Sequence, residues 1–230
     1  MSVFENVIGW LAPPTCLSCG KEGSAICGTC SERRITPFGA RCWRCNRLSQ
    51  GSRTCDNCRR IGSPGKVWIV TNHEDAARSL LSLYKFSQQR AAVEPIARLM
   101  ADTFLESTGP VPAAMDYLVV PVPTATARIR ERGFDHTDLL AKRVAMISGL
   151  REIKALRRLD QTRQLGSKRE DRLTQLTGSF AVKNPLSIHG RKILLIDDVI
   201  TTGGTLIAAA KTVRAAGAKS VDALVFAKRL

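Results

Sequence analysis

The sequence predicts an α/β protein with a mainly parallel sheet, helices on both of its faces, and a small cysteine-rich module in front. Three observations carry that prediction. All eight cysteines fall within residues 1–60. Beyond them, short apolar runs alternate with amphipathic segments of helical spacing. Those apolar runs are continuous rather than alternating, as in strands buried on both faces. With 230 residues, 44% of them hydrophobic, the chain can bury a real core.

The cysteines form four CxxC pairs: Cys16/Cys19, Cys27/Cys30, Cys42/Cys45 and Cys55/Cys58. A CxxC turn points two sulfurs at one tetrahedral centre, and two pairs complete a closed four-thiolate site, so four pairs predict two structural zinc ions. The spacing leaves open whether adjacent or interleaved pairs share a metal. An iron–sulfur cluster also stays open on ligand type alone. A disulfide framework would need an export context; the N-terminus MSVFENVIGWLAPPTC has no basic n-region and only a short apolar patch. A thioredoxin-like redox pair needs one CxxC after a strand, not four in succession. The module has few large apolar side chains, so metal ligation would supply its folding energy.

The cysteine step and the linker-like RIGSPGK (60–66) divide the chain into residues 1–62 and 63–230. In the second part, KVWIV (66–70) reads as a strand. EDAARSLLSLYKF (74–86) and PIARLMADTFLES (95–107) read as helices, the latter with a proline suited to a first turn. YLVVPVP (117–123) is a buried strand and DHTDLLAKRVAMISGL (135–150) an amphipathic helix. EIKAL (152–156), SFAVK (179–183), KILLI (192–196) and SVDALVF (220–226) read as strands. TLIAAAKTVRAAG (205–217) is a helix ending at Gly217. No run of about 18 apolar residues exists, so no membrane insertion is expected.

The most informative stretch is ILLIDDVITTGGTL (193–206). It puts Asp197 and Asp198 at the C-terminal edge of a buried strand, where open α/β sheets bind ligands. Thr201, Thr202, Gly203, Gly204 and Thr205 then turn into a helix. Free N–H groups at a helix start, with threonine hydroxyls beside them, suit a phosphate. The acids would repel a phosphate but accept hydrogen bonds from sugar hydroxyls. The stretch therefore reads as a holder of a ribose 5-phosphate. An ATPase would need an upstream G-x-x-x-x-G-K-[ST], which is missing.

This stretch resembles the phosphoribosyl diphosphate (PRPP) motif of type I phosphoribosyltransferases. The N-terminal CxxC pairs, YKF, VVPVPTATARIRERGFDHTDLLA (119–141) and LRRLDQTRQLGSKREDRLTQLTGSF (156–180) extend the likeness along essentially the whole chain. Together they resemble the ComF (competence protein F-like) family, which has a type I phosphoribosyltransferase fold and an N-terminal zinc finger. The resemblance implies that Asp197 and Asp198 bind the ribose hydroxyls and that the loop 201–205 binds the 5-phosphate, with Mg²⁺ on the diphosphate. It implies a diphosphate site at Lys85, Arg132 and Gly133, with Arg128 and Arg130 as weaker candidates. It also implies a closing loop from Arg157 to Arg172, in which Thr162, Gln164 and Arg172 match family positions. Two departures stand out: Asp135 and His136 replace the family's Asn-Gln, and Gln175 replaces an Asn. His136 is the one candidate base near the site, though a lone His is more often an ordinary helix-start residue.

The resemblance further implies a cytoplasmic protein of natural competence that binds PRPP and works with a ComF-type DNA translocase on imported single-stranded DNA. Charge agrees: 35 Lys and Arg against 20 Asp and Glu give +15, which favours an anionic partner. The basic stretch 128–172 makes Arg157, Arg158 and Arg163 the candidate nucleic-acid contacts, with Arg33, Arg34, Arg59 and Arg60 of the module as the fallback. Aromatic residues make up only 5%, so backbone contacts would dominate over base stacking. The other reading is an active phosphoribosyltransferase with an unidentified acceptor, unrelated to DNA.

Overall fold

The computed structural model describes residues 13–59, 62–86, 90–108, 116–159 and 179–229. Seven strands are present among them: β1 (Val67–Asn72), β2 (Tyr117–Pro121), β3 (Arg151–Glu152), β4 (Leu156–Arg158), β5 (Phe180–Val182), β6 (Lys192–Ile200) and β7 (Ser220–Lys228). The helices are α1 (Gly28–Arg34) in the cysteine module, α2 (Asp75–Phe86), α3 (Val93–Thr108), α4 (Thr126–Arg132), α5 (His136–Ser148) and α6 (Gly204–Ala215). The main sheet has the order β1-β7-β6-β2-β3, and every pairing in it is parallel.

Alternation along the strands builds two cores. Trp68, Val119, Leu194, Ile196, Leu224 and Phe226 point to the face covered by α2, α3 and α5. Ile69, Val120, Ile193, Leu195, Ala223 and Val225 point to the face covered by α6. Period-2 alternation accounts for both sets, and burial on both faces accounts for the unbroken apolar runs. Trp68 is 1% exposed and stands edge-on to Phe104 at 5.1 Å between ring centroids. Trp68→Ala is expected to cost about 3–5 kcal/mol, because the cavity cannot close between a strand and α3; denaturant unfolding would measure it.

The main sheet differs from the sequence expectation at one edge. Residues 152–156 do not form one strand. Ile153 N–H donates to Val119 O and Ala155 N–H turns back to Ile153 O, so the chain leaves the sheet after Glu152. Leu156–Arg158 then pairs antiparallel with Phe180–Val182 in a separate two-stranded sheet. The basic run after β2, for which the sequence predicts no element, contains α4, which Gly133 caps at φ 81°. The strand carrying the acids is longer than expected and runs through them to Ile200.

The cysteine module clasps the β1 edge. Phe38 N–H donates to Val70 O at 2.9 Å and Thr71 Oγ1 donates to Thr36 O at 2.7 Å. An edge strand that would otherwise offer free backbone groups is thus covered. Cys16, Ala25, Ile26 and Ile35 enter the core on the α2/α3/α5 face, whereas Phe38 and Trp43 enter the core on the α6 face. The junction is pinned by Asp222, which accepts from Lys66 N–H at 2.7 Å and from Tyr117 OH at 2.5 Å. Burial and the Asp222 charge raise the Tyr117 phenol above its ordinary pKa. No described helix is long and apolar enough to cross a membrane.

Candidate functional site

The C-terminal ends of β1, β2, β6 and β7 open onto one cleft of about 460 Å³. The pleat sends the two acids of β6 to opposite faces. Asp198 follows Leu194 and Ile196 toward α2 and α5, where Lys85 Nζ lies 2.5 Å from its Oδ2 and His136 Nε2 lies 3.3 Å away. Asp197 takes the register of Leu195, on the α6 side; its Oδ1 accepts from Asp198 N–H at 2.9 Å. The two carboxyls are consequently unlike. Burial, and next the Asp198 charge, push Asp197 well above the usual carboxylate range. Burial also works to raise Asp198, but the His136 hydrogen bond and the Lys85 ammonium outweigh it and hold that carboxylate below its usual range.

His136 is positioned by its own helix start. Asp135 is the α5 N-cap, accepting from Thr137 N–H at 3.1 Å and Asp138 N–H at 3.4 Å, and from Thr124 Oγ1 at 2.9 Å. An aspartate performs this cap as well as an asparagine. Tyr84 OH donates to the His136 carbonyl, and the two rings meet edge-on at 5.5 Å. His136 is thereby buried and engaged with Asp198.

After Ile200 the chain enters the loop 201–205. Thr201 and Thr202 are exposed, Gly203 sits at φ 75° as the N-cap of α6, and Gly204 and Thr205 begin the helix. Glycine brings no side chain to cap this end, so the first α6 N–H groups remain available to an anion. A cationic rim lies beside them: Lys85, Arg158 and Arg229 line the same cleft as Asp197, Asp198, Thr201 and Thr205, together with the imidazole of His73. Burial, followed by the Lys85 charge, keeps His73 below its ordinary pKa.

The sequence-predicted residues are therefore partly gathered and partly not. Lys85 lies at the acids, bound to Asp198, and lines the cleft with them. Arg158 reaches into the cleft, with its guanidinium 5.4 Å from the Phe180 ring and 3.5 Å from the Pro123 carbonyl. Arg157 is exposed on the same short strand. Gly133 is an exposed helix C-cap and does not line the cleft. Arg163, with Thr162, Gln164, Arg172 and Gln175, lies outside the described residues, as do the side chains of Arg128 and Arg132. His73 and Arg229 escape a reading of the sequence by motif. Each directly follows a parallel strand of the main sheet, and the strand-end rule applied to β1 and β7 as well as β6 would find them.

In the module, Cys16, Cys19, Cys27 and Cys30 form one cluster and Cys42, Cys45, Cys55 and Cys58 another, with all sulfurs of a cluster within 4.8 Å of one another. Adjacent pairs share a centre, which spacing alone leaves undecided. Cys19 and Cys27 sulfurs are 3.7 Å apart and Cys45 and Cys55 sulfurs 3.6 Å. A tetrahedron with Zn–S bonds of about 2.3 Å has edges of about 3.8 Å, so zinc fits, whereas a disulfide would need about 2 Å. All eight cysteines are free thiols. Although burial opposes it, backbone N–H groups, that of Cys27 first, lower the Cys16 thiol to about 6. Burial opposes the same shift at Cys42, where the backbone N–H groups of Cys45 and Cys55 lower the thiol to about 6 as well. Both clusters could hold a zinc ion.

Residues 147–230 match the family model of the phosphoribosyl transferase domain. With its parallel sheet and strand-end cleft, the second part of the chain has a phosphoribosyltransferase-type fold. The chain is 28% identical to competence protein F of Haemophilus influenzae over 219 residues, covering 90% of this chain and 93% of that protein. It is 29% identical to competence protein ComFC of Bacillus subtilis over 224 residues, covering 91% and 85%. It is also 25% identical to the DNA utilization protein YhgH of Escherichia coli over 202 residues, covering 86% and 87%. Along about nine-tenths of its length the chain is thus similar to competence proteins F and ComFC, and it carries two four-cysteine clusters ahead of its phosphoribosyltransferase-like domain.

Proposed function

We propose that this protein binds PRPP and single-stranded DNA as a cytoplasmic component of DNA uptake. The observation that carries the first half is the union in one cleft of an acid pair, a glycine loop at a helix start and a cationic rim. Asp197 and Asp198 would accept from the ribose 2- and 3-hydroxyls. The loop 201–205 and the α6 N–H groups would take the 5-phosphate. Lys85, Arg158 and Arg229 face the volume left for a diphosphate, whose charge a bound Mg²⁺ would share. Arg132 and Gly133 remain diphosphate candidates from the family likeness. Two zinc ions would hold the cysteine module, which offers a docking face for a ComF-type DNA translocase.

DNA binding is supported by the charge of +15 and by Arg157 and Arg158, which carry positive charge from the cleft to its outer side. Replacing Arg157, Arg158 and Arg163 with Ala is expected to weaken single-stranded DNA binding equally for all sequences. It should also reduce the magnitude of the slope of log K against log salt by about two, at about 0.7 for each phosphate no longer neutralised. Filter binding across a salt series, with PRPP as competitor, tests both halves. Loss of PRPP affinity with intact DNA binding would assign these arginines to PRPP alone, and the DNA contacts would move to Arg33, Arg34, Arg59 and Arg60. Transfer of the phosphoribosyl group to an unidentified acceptor is the second reading. It is disfavoured by the engagement of His136 with Asp198, and release of pyrophosphate from PRPP would establish it.

A further inference from the structure

The second cysteine cluster touches the phosphate loop. Trp43 stands between Cys42 and Cys45, is 2% exposed, and packs in the core that contains Ile200 and Leu206 on either side of the loop. Its ring lies directly under Gly203: a Cβ placed there would come within 2.1 Å of Cζ3 and 2.5 Å of Cη2. The glycine is thus required twice, by its left-handed φ of 75° and by the indole beneath it.

The ring cannot drift. Its Nε1–H donates to Thr54 Oγ1 at 2.9 Å, and that hydroxyl donates to Pro64 O at 2.7 Å. Thr54 itself precedes the ligand-type Cys55, so both partners in the indole hydrogen bond are fixed by the same four-thiol cluster. A second strand end rests on the same turn. Lys228, the last residue of β7 and the neighbour of cleft-lining Arg229, donates to Asn46 Oδ1 at 3.4 Å and lies 5.3 Å over the Phe38 ring. The first cysteine cluster packs on the opposite face of the sheet, in the other core.

We propose that Trp43 is a positioning residue of the phosphate loop, so that metal occupancy of the Cys42/Cys45/Cys55/Cys58 cluster sets the order of residues 201–205. Tighter binding of a phosphorylated ribose is the consequence, and that part rests on the PRPP reading. An ordered loop holds its N–H groups converged on the phosphate before the ligand arrives, and less conformational entropy is lost on binding.

The test uses the full-length zinc-loaded protein, with amide hydrogen exchange of residues 201–206 and a PRPP titration. Trp43→Ala is expected to speed loop exchange by about tenfold or more relative to β7 amides, and to weaken PRPP binding by about tenfold. Trp43→Phe, which keeps a ring beneath Gly203, should recover most of both. Cys45→Ser should reproduce Trp43→Ala, while Cys19→Ser in the first cluster should leave loop exchange as in wild type. Unchanged loop exchange in Trp43→Ala or Cys45→Ser, or an equal response to Cys19→Ser, overturns the proposal. Should Trp43→Ala fail to fold, Thr54→Val frees the indole N–H and carries the same comparison: faster loop exchange supports the role and wild-type exchange refutes it. If wild type binds no PRPP while loop exchange still follows Trp43, the PRPP reading falls and the positioning role stands.

Discussion

Replacing Asp197 and Asp198 together by Asn is expected to reduce PRPP affinity by about a hundredfold or more. The geometry dictates the direction. Two sugar hydroxyls would lose their carboxyl acceptors; a hydrogen bond to a charged group such as Asp198 is worth about 1.5–3 kcal/mol and one to a neutral group about 0.5–1.5 kcal/mol. Together they amount to about two decades in Kd. The single variants should differ. Asp198→Asn also removes the anion that Lys85 and His136 share, leaving two nitrogen-bearing groups facing each other in a buried corner. Asp197→Asn removes a carboxyl already held toward its neutral form. Asp198→Asn is therefore the more damaging to both fold and binding. Calorimetric titration with PRPP, alongside circular dichroism to confirm folding, reads the result; unchanged affinity in the folded double variant would sink the ribose assignment.

Removing metal is expected to have the largest effect on stability. Metal analysis should return about two zinc ions per chain, and chelation should lower the melting temperature by about 10 °C or more. Structural zinc binding is worth about 10–16 kcal/mol to a peptide that has no other core. Only part of that is lost here, because both clusters lean on a sheet core. In a protein of this size even about 4 kcal/mol moves the midpoint by about 8–16 °C. Cys30→Ser and Cys58→Ser should each remove one zinc and produce part of the shift. One zinc per chain would leave one cluster empty, and iron in place of zinc would overturn the assignment.

Much of this architecture was legible in the sequence, for physical reasons that can be named. The continuous apolar runs gave the buried parallel strands because both faces of β6 and β7 are covered. Four CxxC pairs pointed to two four-thiol centres because two such turns complete one tetrahedral site, but which pairs share a centre came only with the fold. Three things were not legible. The break after Glu152 depends on a backbone turn at Ile153–Ala155 that no residue type announces. The pairing of Lys85 with Asp198 joins residues more than a hundred positions apart, and it follows from tertiary packing that brings the end of α2 to β6, not from any local pattern. Trp43 beneath Gly203 was hidden for the same reason. A glycine at a left-handed helix cap is already explained by its backbone, so nothing in the sequence hinted that a second surface also required it.

The strand order has a consequence for how the molecule is made. β1 is drawn from the first third of the chain, yet its partner in the main sheet is β7, the last described strand, with more than a hundred and fifty positions between paired residues. During synthesis β1 leaves the ribosome with Trp68 and Val70 on one face and Ile69 on the other, and neither face can be fully enclosed until β7 slots between β1 and β6. Closing so long a loop is slow, and the waiting edge is open to pairing with another chain. The cysteine module emerges earlier still and already holds the outer edge of β1 through Phe38 and Thr71. Metal taken up at that stage would shield a nascent strand, acting as a guard on folding long before the cleft exists to bind anything.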